Sequence, residues 1–87
     1  MTQTRRPIVA LDDEMMRLRS TLEQAGYEVQ PLHSAPLDQV AVVVLSGIDA
    51  DITGDLRRRT EAPVLEARGL DERAVVAAVH EKARLRM

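Results

Sequence analysis

The feature that most constrains this chain is a run of six apolar residues, Val40–Leu45, that ends at Ser46 and Gly47. A strand with one face in solvent alternates apolar and polar residues, whereas a strand covered on both faces is apolar throughout. A helix is disfavoured because the run is short and rich in β-branched valine, which loses side-chain freedom in a helix. The run therefore predicts a central strand of a parallel sheet.

Helices and strands are predicted to alternate around this strand. Asp12 or Asp13 can cap a first helix, whose apolar residues recur at helical spacing until Gly26. Pro31 indicates an edge strand because it cannot donate a hydrogen bond to a neighbour. The connection that follows, residues 33–39, is too short for a normal helix. The predicted order is strand 8–11, helix, strand 27–32, strand 40–45, loop 46–53, helix 52–59, strand 62–67 and a last helix capped by Asp71.

This order predicts one α/β domain over residues 1–87, with residues 1–6 as a disordered tail. We expect a four-stranded parallel sheet in the order 2-1-3-4, a truncated flavodoxin- or Rossmann-like arrangement with two or three layers. Ligands of such sheets bind beyond the carboxyl ends of the strands, where strands 1 and 3 meet. Two loops would lie there, residues 12–14 and residues 46–51.

Acidic side chains in these two loops are the candidate ligand-binding residues. Clustered carboxylates suit Mg²⁺ or another divalent cation, so the chain could hold a metal at Asp12, Asp13, Asp49 and Asp51. The alternative is that these acids only cap the two helices that follow, which requires no ligand. The loop at the strand ends also contains Ser46, Gly47 and Gly54, but no base accompanies the serine and no glycine-rich phosphate motif is present. No catalytic residue is predicted.

Charge and composition exclude several classes of partner. The net charge of -2 gives no basic footprint for nucleic acid, and Tyr27 is the only aromatic residue available for base stacking. Without cysteine the chain cannot form a disulfide or a cysteine-built zinc site. No apolar run is long enough to cross a bilayer. We therefore expect a cytoplasmic protein that binds neither nucleic acid nor membrane.

Two segments of the amino-terminal third combine a strand that ends in paired acids with a helix that ends in glycine, residues 8–17 (IVALDDEMMR) and residues 22–29 (LEQAGYEV). These segments resemble the opening of a response-regulator receiver domain. In receivers the paired acids after the first strand hold magnesium, which implies that role for Asp12 and Asp13. The phosphoacceptor aspartate of that family is replaced here by Ser46, the expected Ser or Thr falls at Ala67 or Arg68, and the fifth strand with its lysine is missing. The resemblance therefore does not imply phosphorylation.

A second resemblance covers almost the whole chain. It includes the LEQAGYEV segment, residues 42–49 (VVVLSGID) with Asp51 and Gly54, residues 60–64 (TEAPV), residues 67–70 (ARGL) and the closing valine-rich helix. These segments are similar to the small uncharacterised bacterial family typified by YkuS. That family carries asparagine where this chain has Asp51. The resemblance implies an α/β fold and no established activity.

Two functions remain open from the sequence. The first is a non-enzymatic interaction or regulatory module that acts as a homodimer, alone or with another protein. Three helices are few for covering both faces of the sheet, so one face, or the outer edge near Val64 and Leu65, should keep an apolar patch for a second copy. The alternative is a divalent-metal-dependent binding protein or hydrolase that uses the acids at the strand ends.

Overall fold

The strand β3, Val40–Leu45, lies inside the sheet, and all six of its residues are buried. The structure is a computed structural model that describes residues 6–47 and 50–84, with side chains for residues 6–47 and 53–84. Of the predicted tail, only Arg6 lies within these ranges, and it is exposed. The structure therefore confirms that this apolar run is a strand covered on both faces.

The remaining elements alternate as expected. Neighbouring strands are all parallel, and their order is β2-β1-β3-β4, which confirms the predicted fold. The elements are β1 (Ile8–Leu11), a 3₁₀ helix (Asp13–Leu18), α1 (Arg19–Gln24), β2 (Glu28–Pro31), a short 3₁₀ helix (Leu32–Ser34), β3, α2 (Ala50–Arg59), β4 (Val64–Glu66) and α3 (Glu72–Arg84).

The molecule has three layers because the crossovers leave β1 and β2 in opposite directions. Right-handed connections that run in opposite directions lie on opposite faces of a sheet. Val42 and Val44 belong to the core that contains the inward residues of α1 and α3. Val40 and Val43 belong to a second core that contains Leu56 of α2 and the residues 32–37 that connect β2 to β3. One face is therefore covered by two helices, and the other by one helix and a short connection.

The first helix differs from its prediction. Its first six residues, Asp13–Leu18, form a 3₁₀ helix, and only Arg19–Gln24 is α-helical. A 3₁₀ helix has three residues per turn, so Met15 and Leu18 lie on the same side, and both are buried. The apolar spacing predicts an α-helix equally well, because residues three apart lie on one side in both kinds of helix.

The ends of the other elements also shift. α2 begins at Ala50, inside the stretch that was predicted as a loop, and β4 is only three residues long. The carboxylate of Asp71 accepts a hydrogen bond from the backbone N–H of Ala74 at 2.8 Å, which confirms it as the cap of α3.

Within the described ranges, no helix combines the length and the apolar character needed to cross a membrane.

Two threonines fasten neighbouring elements within each outer layer of the molecule. Thr21 of α1 donates to Glu72 Oε1 of α3 at 2.6 Å. The Thr60 hydroxyl, just after α2, donates to the Leu37 carbonyl at 2.6 Å and accepts from the Ala62 N–H at 3.1 Å. The second set ties the connection between β2 and β3 to the end of α2, so that these two segments are held side by side over the same face of the sheet.

Candidate functional site

The carboxyl ends of β1 and β3 are joined by the side chain of Asp12. One of its oxygens, Oδ2, accepts from the backbone N–H of Ser46 at 2.7 Å and from the Ser46 hydroxyl at 2.8 Å. The other oxygen, Oδ1, accepts from the backbone N–H of Met15 at 3.0 Å, which caps the 3₁₀ helix. Three protein donors therefore occupy most of the roughly four acceptor positions of this carboxylate, which leaves little room for a cation.

The other predicted acids do not complete a metal site in the described part of the chain. Asp13 is exposed, and its carboxylate makes no hydrogen bond to another described residue. Asp49 lies outside the described residues. Asp51 is the second residue of α2, and its side chain also lies outside them. Among the residues whose side chains are described, no three of His, Cys, Asp or Glu form a group that could hold a metal ion.

The two glycines assigned to the strand-end loop occupy different kinds of structure. Gly47 follows Ser46 in a bend, whereas Gly54 lies inside α2 and not in a loop, which corrects its predicted place. A Cβ atom added at either position would lie more than 4 Å from the rest of the protein, apart from the adjacent residues and the backbone of the same helix. Positive φ angles occur in the described residues at Gly26 and Gly69 instead. Neither close approach nor backbone strain therefore explains glycine at positions 47 and 54.

A groove lies on the other side of the sheet from α1 and α3, between α2 and the connection that joins β2 to β3. Its volume is about 330 Å³. We call it the α2 groove and define it by its lining residues, Leu32, His33, Ala35, Leu37, Asp55, Leu56 and Arg59. A connection of this length has too few side chains to fill the space that a helix would fill, which leaves the groove open.

The α2 groove has an apolar floor and a charged rim. Leu56 is buried, and the three apolar residues of the connection are half-buried against the same core. His33, Asp55 and Arg59 are exposed at the rim. Arg59 Nη1 contacts Asp55 Oδ2 at 3.4 Å, one turn apart on α2. The groove thus combines apolar surface with a small number of polar groups, which is the usual composition of a ligand pocket.

The sequence did not predict a phenol–imidazole pair that lies at the amino end of β2. The hydroxyl of Tyr27, just before β2, forms a hydrogen bond with His80 Nδ1 of α3, and the ring centroids lie 5.2 Å apart. Tyr27 is buried, and this burial raises the pKa of its hydroxyl above 10.0. The two residues are 53 positions apart, so no local spacing could reveal the pair. Its effect is to fasten the start of β2 to α3.

Comparison with known proteins identifies a related family. The model of the Uncharacterised protein family UPF0180 matches residues 7–82. The UPF0180 protein GK1051 of Geobacillus kaustophilus (strain HTA426) is 31% identical to this chain over 80 residues, which cover 87% of the chain and 96% of that protein. No solved structure matches the chain.

Proposed function

This chain belongs to the uncharacterised protein family UPF0180, and we propose that it acts as a non-enzymatic interaction or regulatory module that works as a homodimer. Its membership confirms the prediction of a small uncharacterised bacterial family. The observation that carries the proposal is the edge strand β4, which pairs with β3 on one side and carries the half-buried apolar residues Val64 and Leu65. The hydrogen-bonded state of Asp12 gives it further support.

The hydrogen bonds of Asp12 and Ser46, at the carboxyl ends of β1 and β3, favour a structural role over a catalytic one. Asp12 serves as the cap of the 3₁₀ helix and as the acceptor for Ser46. A carboxylate that already accepts three hydrogen bonds has little capacity left to act as a general base or as a metal ligand. The Ser46 hydroxyl donates to that same carboxylate, so both groups are engaged with each other within the protein. These contacts support a module without enzymatic chemistry.

The two edges of the sheet differ in their capacity to pair with another chain. β2 presents Glu28 and Gln30 with Pro31 at its end, and charge and proline are typical protections of an edge strand. β4 presents Val64 and Leu65, both half-buried. Val64 packs against the core under α2, and Leu65 packs against the core under α1 and α3. A second chain beside β4 would therefore extend both cores.

The backbone of β4 also has groups that point away from β3. The Pro63 carbonyl accepts from Val43, and the Ala67 N–H donates to Leu45, so both face β3. Backbone groups of successive residues in a strand point to alternate sides, which directs the N–H and C=O of Val64 and Glu66 outward. Pairing of β4 with the same strand of a second copy about a two-fold axis would satisfy these groups and bury the apolar edge.

The experiment is light scattering coupled to size exclusion, with substitutions at one outward-facing backbone position. Glu66→Pro removes an outward N–H and leaves the bonds to β3 in place, since proline is tolerated at the free side of an edge strand. Glu66→Gln is the matched control because it changes the charge and retains the N–H. We expect dimers for the wild type and Glu66→Gln, and a mass near the monomer value of 9.7 kDa for Glu66→Pro.

Two outcomes would contradict the proposal. A wild-type protein that has the monomer mass at every micromolar concentration tested would show that the sheet does not pair. A dimeric Glu66→Pro protein, with wild-type circular dichroism, would show that β4 is not the interface.

A further inference from the structure

We propose that the α2 groove binds a small amphipathic carboxylate, with its apolar body on the floor of the groove and its anionic head at Arg59. This site is separate from the β4 edge and does not depend on dimer formation. The inference follows from three properties of the groove, which are its volume and floor, the donors at its rim, and the hydrogen bond that holds its two sides together.

The floor and the volume set the size of the ligand. The apolar residues of the floor come from both sides of the groove. The connection contributes Leu32, Ala35 and Leu37, and α2 contributes Leu56. Ligand pockets usually measure about 300–1,000 Å³ and are mostly apolar. A volume of about 330 Å³ is near the lower limit and suits a short alkyl chain or a single ring. A larger ligand would extend into solvent.

The rim provides donors on both walls for an anionic head. Arg59 is on α2 and His33 is on the connection. The pair between Arg59 and Asp55 has both side chains more than half exposed, at 60% and 54%, and such pairs contribute little free energy because water and salt screen them. A ligand carboxylate can accept two parallel hydrogen bonds from a guanidinium. It can therefore compete with the single contact that Asp55 makes.

The donors at the rim, and not the surrounding net charge, favour an anion over a cation. Three exposed arginines end α2, at positions 57, 58 and 59, and the exposed acids Asp38 and Glu61 lie beside them. The charges around the groove are therefore close to balanced, and the choice of ligand depends on Arg59 and His33 at the rim itself. Asp55 attracts a cation, but its charge is already opposed by Arg59 one turn away. An ammonium head is accordingly a weaker ligand than a carboxylate.

The groove is already formed by the protein itself. The hydrogen bond from Thr60 to the Leu37 carbonyl, at 2.6 Å, holds the wall of the connection to the end of α2. A site whose walls are already positioned loses less conformational freedom on binding than a mobile one.

The test is a titration of the ¹⁵N-labelled wild-type chain with octanoate, followed by amide chemical shifts. We expect saturable shifts at the residues that line the α2 groove. Arg59→Gln should weaken octanoate binding about tenfold, the loss expected for one charged hydrogen bond. Arg58→Gln is the matched control because it removes the same charge from the same exposed helix end without lining the groove, and it should bind as the wild type does. Ala35→Leu, which adds volume to the floor, should also weaken binding.

Uncharged and cationic probes separate the contributions of head and body. Octanol should bind more weakly than octanoate, and octylamine more weakly still. Equal affinity for octanoate and octanol, or equal losses in Arg59→Gln and Arg58→Gln, would overturn the assignment of Arg59 to the carboxylate. Shifts that do not saturate, or that lie away from the groove, would overturn the site itself.

Discussion

Asp12 accepts both hydrogen-bond donors of Ser46, the backbone N–H at 2.7 Å and the hydroxyl at 2.8 Å, through a single carboxylate oxygen. The two residues follow neighbouring parallel strands, β1 and β3. Their bond therefore closes the carboxyl edge of the sheet at the point where other sheets of this kind bind a ligand. In this chain Asp12 binds Ser46 at that point.

We expect Asp12→Ala to lower the free energy of unfolding by about 2 kcal/mol, because it removes a helix cap and leaves the Ser46 donors without their acceptor. Asp13→Ala is the control. Its carboxylate is exposed and makes no hydrogen bond to another described residue, so its effect should stay within about 0.5 kcal/mol. Urea unfolding of both variants measures the difference. Equal losses would contradict the distinct role of Asp12.

Magnesium should not change the thermal midpoint of the wild-type protein. A ligand that binds only the folded state raises this midpoint, but three hydrogen-bond donors already occupy most of the acceptor positions of Asp12, which leaves little room for a cation. A thermal-shift series with Mg²⁺, Mn²⁺ and Ca²⁺ checks this expectation. A rise with a divalent cation that is absent in Asp12→Ala would establish a metal site there.

The stability of the protein should fall at alkaline pH through Tyr27, whose pKa is raised above 10.0 by burial. The folded state holds this proton more tightly than the unfolded chain does. The resulting stability is fully present below the unfolded pKa and is lost as the pH rises through the folded pKa. Tyr27 is the only tyrosine, and the chain has no tryptophan, so the ultraviolet absorbance of its phenolate reports the pKa directly.

We expect the absorbance midpoint to lie above 10.0 in the native protein and to return to about 10 in urea. Tyr27→Phe should remove this part of the pH dependence of stability. A native midpoint at or below that of the urea-unfolded chain would contradict the effect of burial.

Two buried threonines should respond in opposite directions to the same substitution. Thr60→Val removes the partners of the Leu37 carbonyl and the Ala62 N–H, and we expect a loss of about 1–3 kcal/mol. The buried hydroxyl of Thr53 has no hydrogen-bond partner among the described residues, so Thr53→Val should stabilise the fold by about 1 kcal/mol. Denaturant unfolding compares the two variants. Destabilisation by Thr53→Val would mean that its hydroxyl is satisfied in solution.

Much of the architecture was determined by local patterns. The continuous apolar run at Val40–Leu45 identified a strand covered on both faces, and the alternation of elements led to the strand order. The caps at Asp12 and Asp71 were also predictable, because a cap depends on a carboxylate that lies a few residues from the free N–H groups. Periodicity alone did not distinguish the 3₁₀ helix over Asp13–Leu18 from an α-helix, since both place residues three apart on one side.

The contacts that decide what the surface can do depend on residues far apart in the chain. Asp12 and Ser46 were assigned to one edge from the sequence, but only the tertiary structure decided that they bind each other. The pair of Tyr27 with His80 and the α2 groove follow from which helix crosses which strand. Short-range patterns carry the energetics of turns, caps and burial. They carry no information on which side chains meet across 34 or 53 residues, because packing of the whole chain sets those distances.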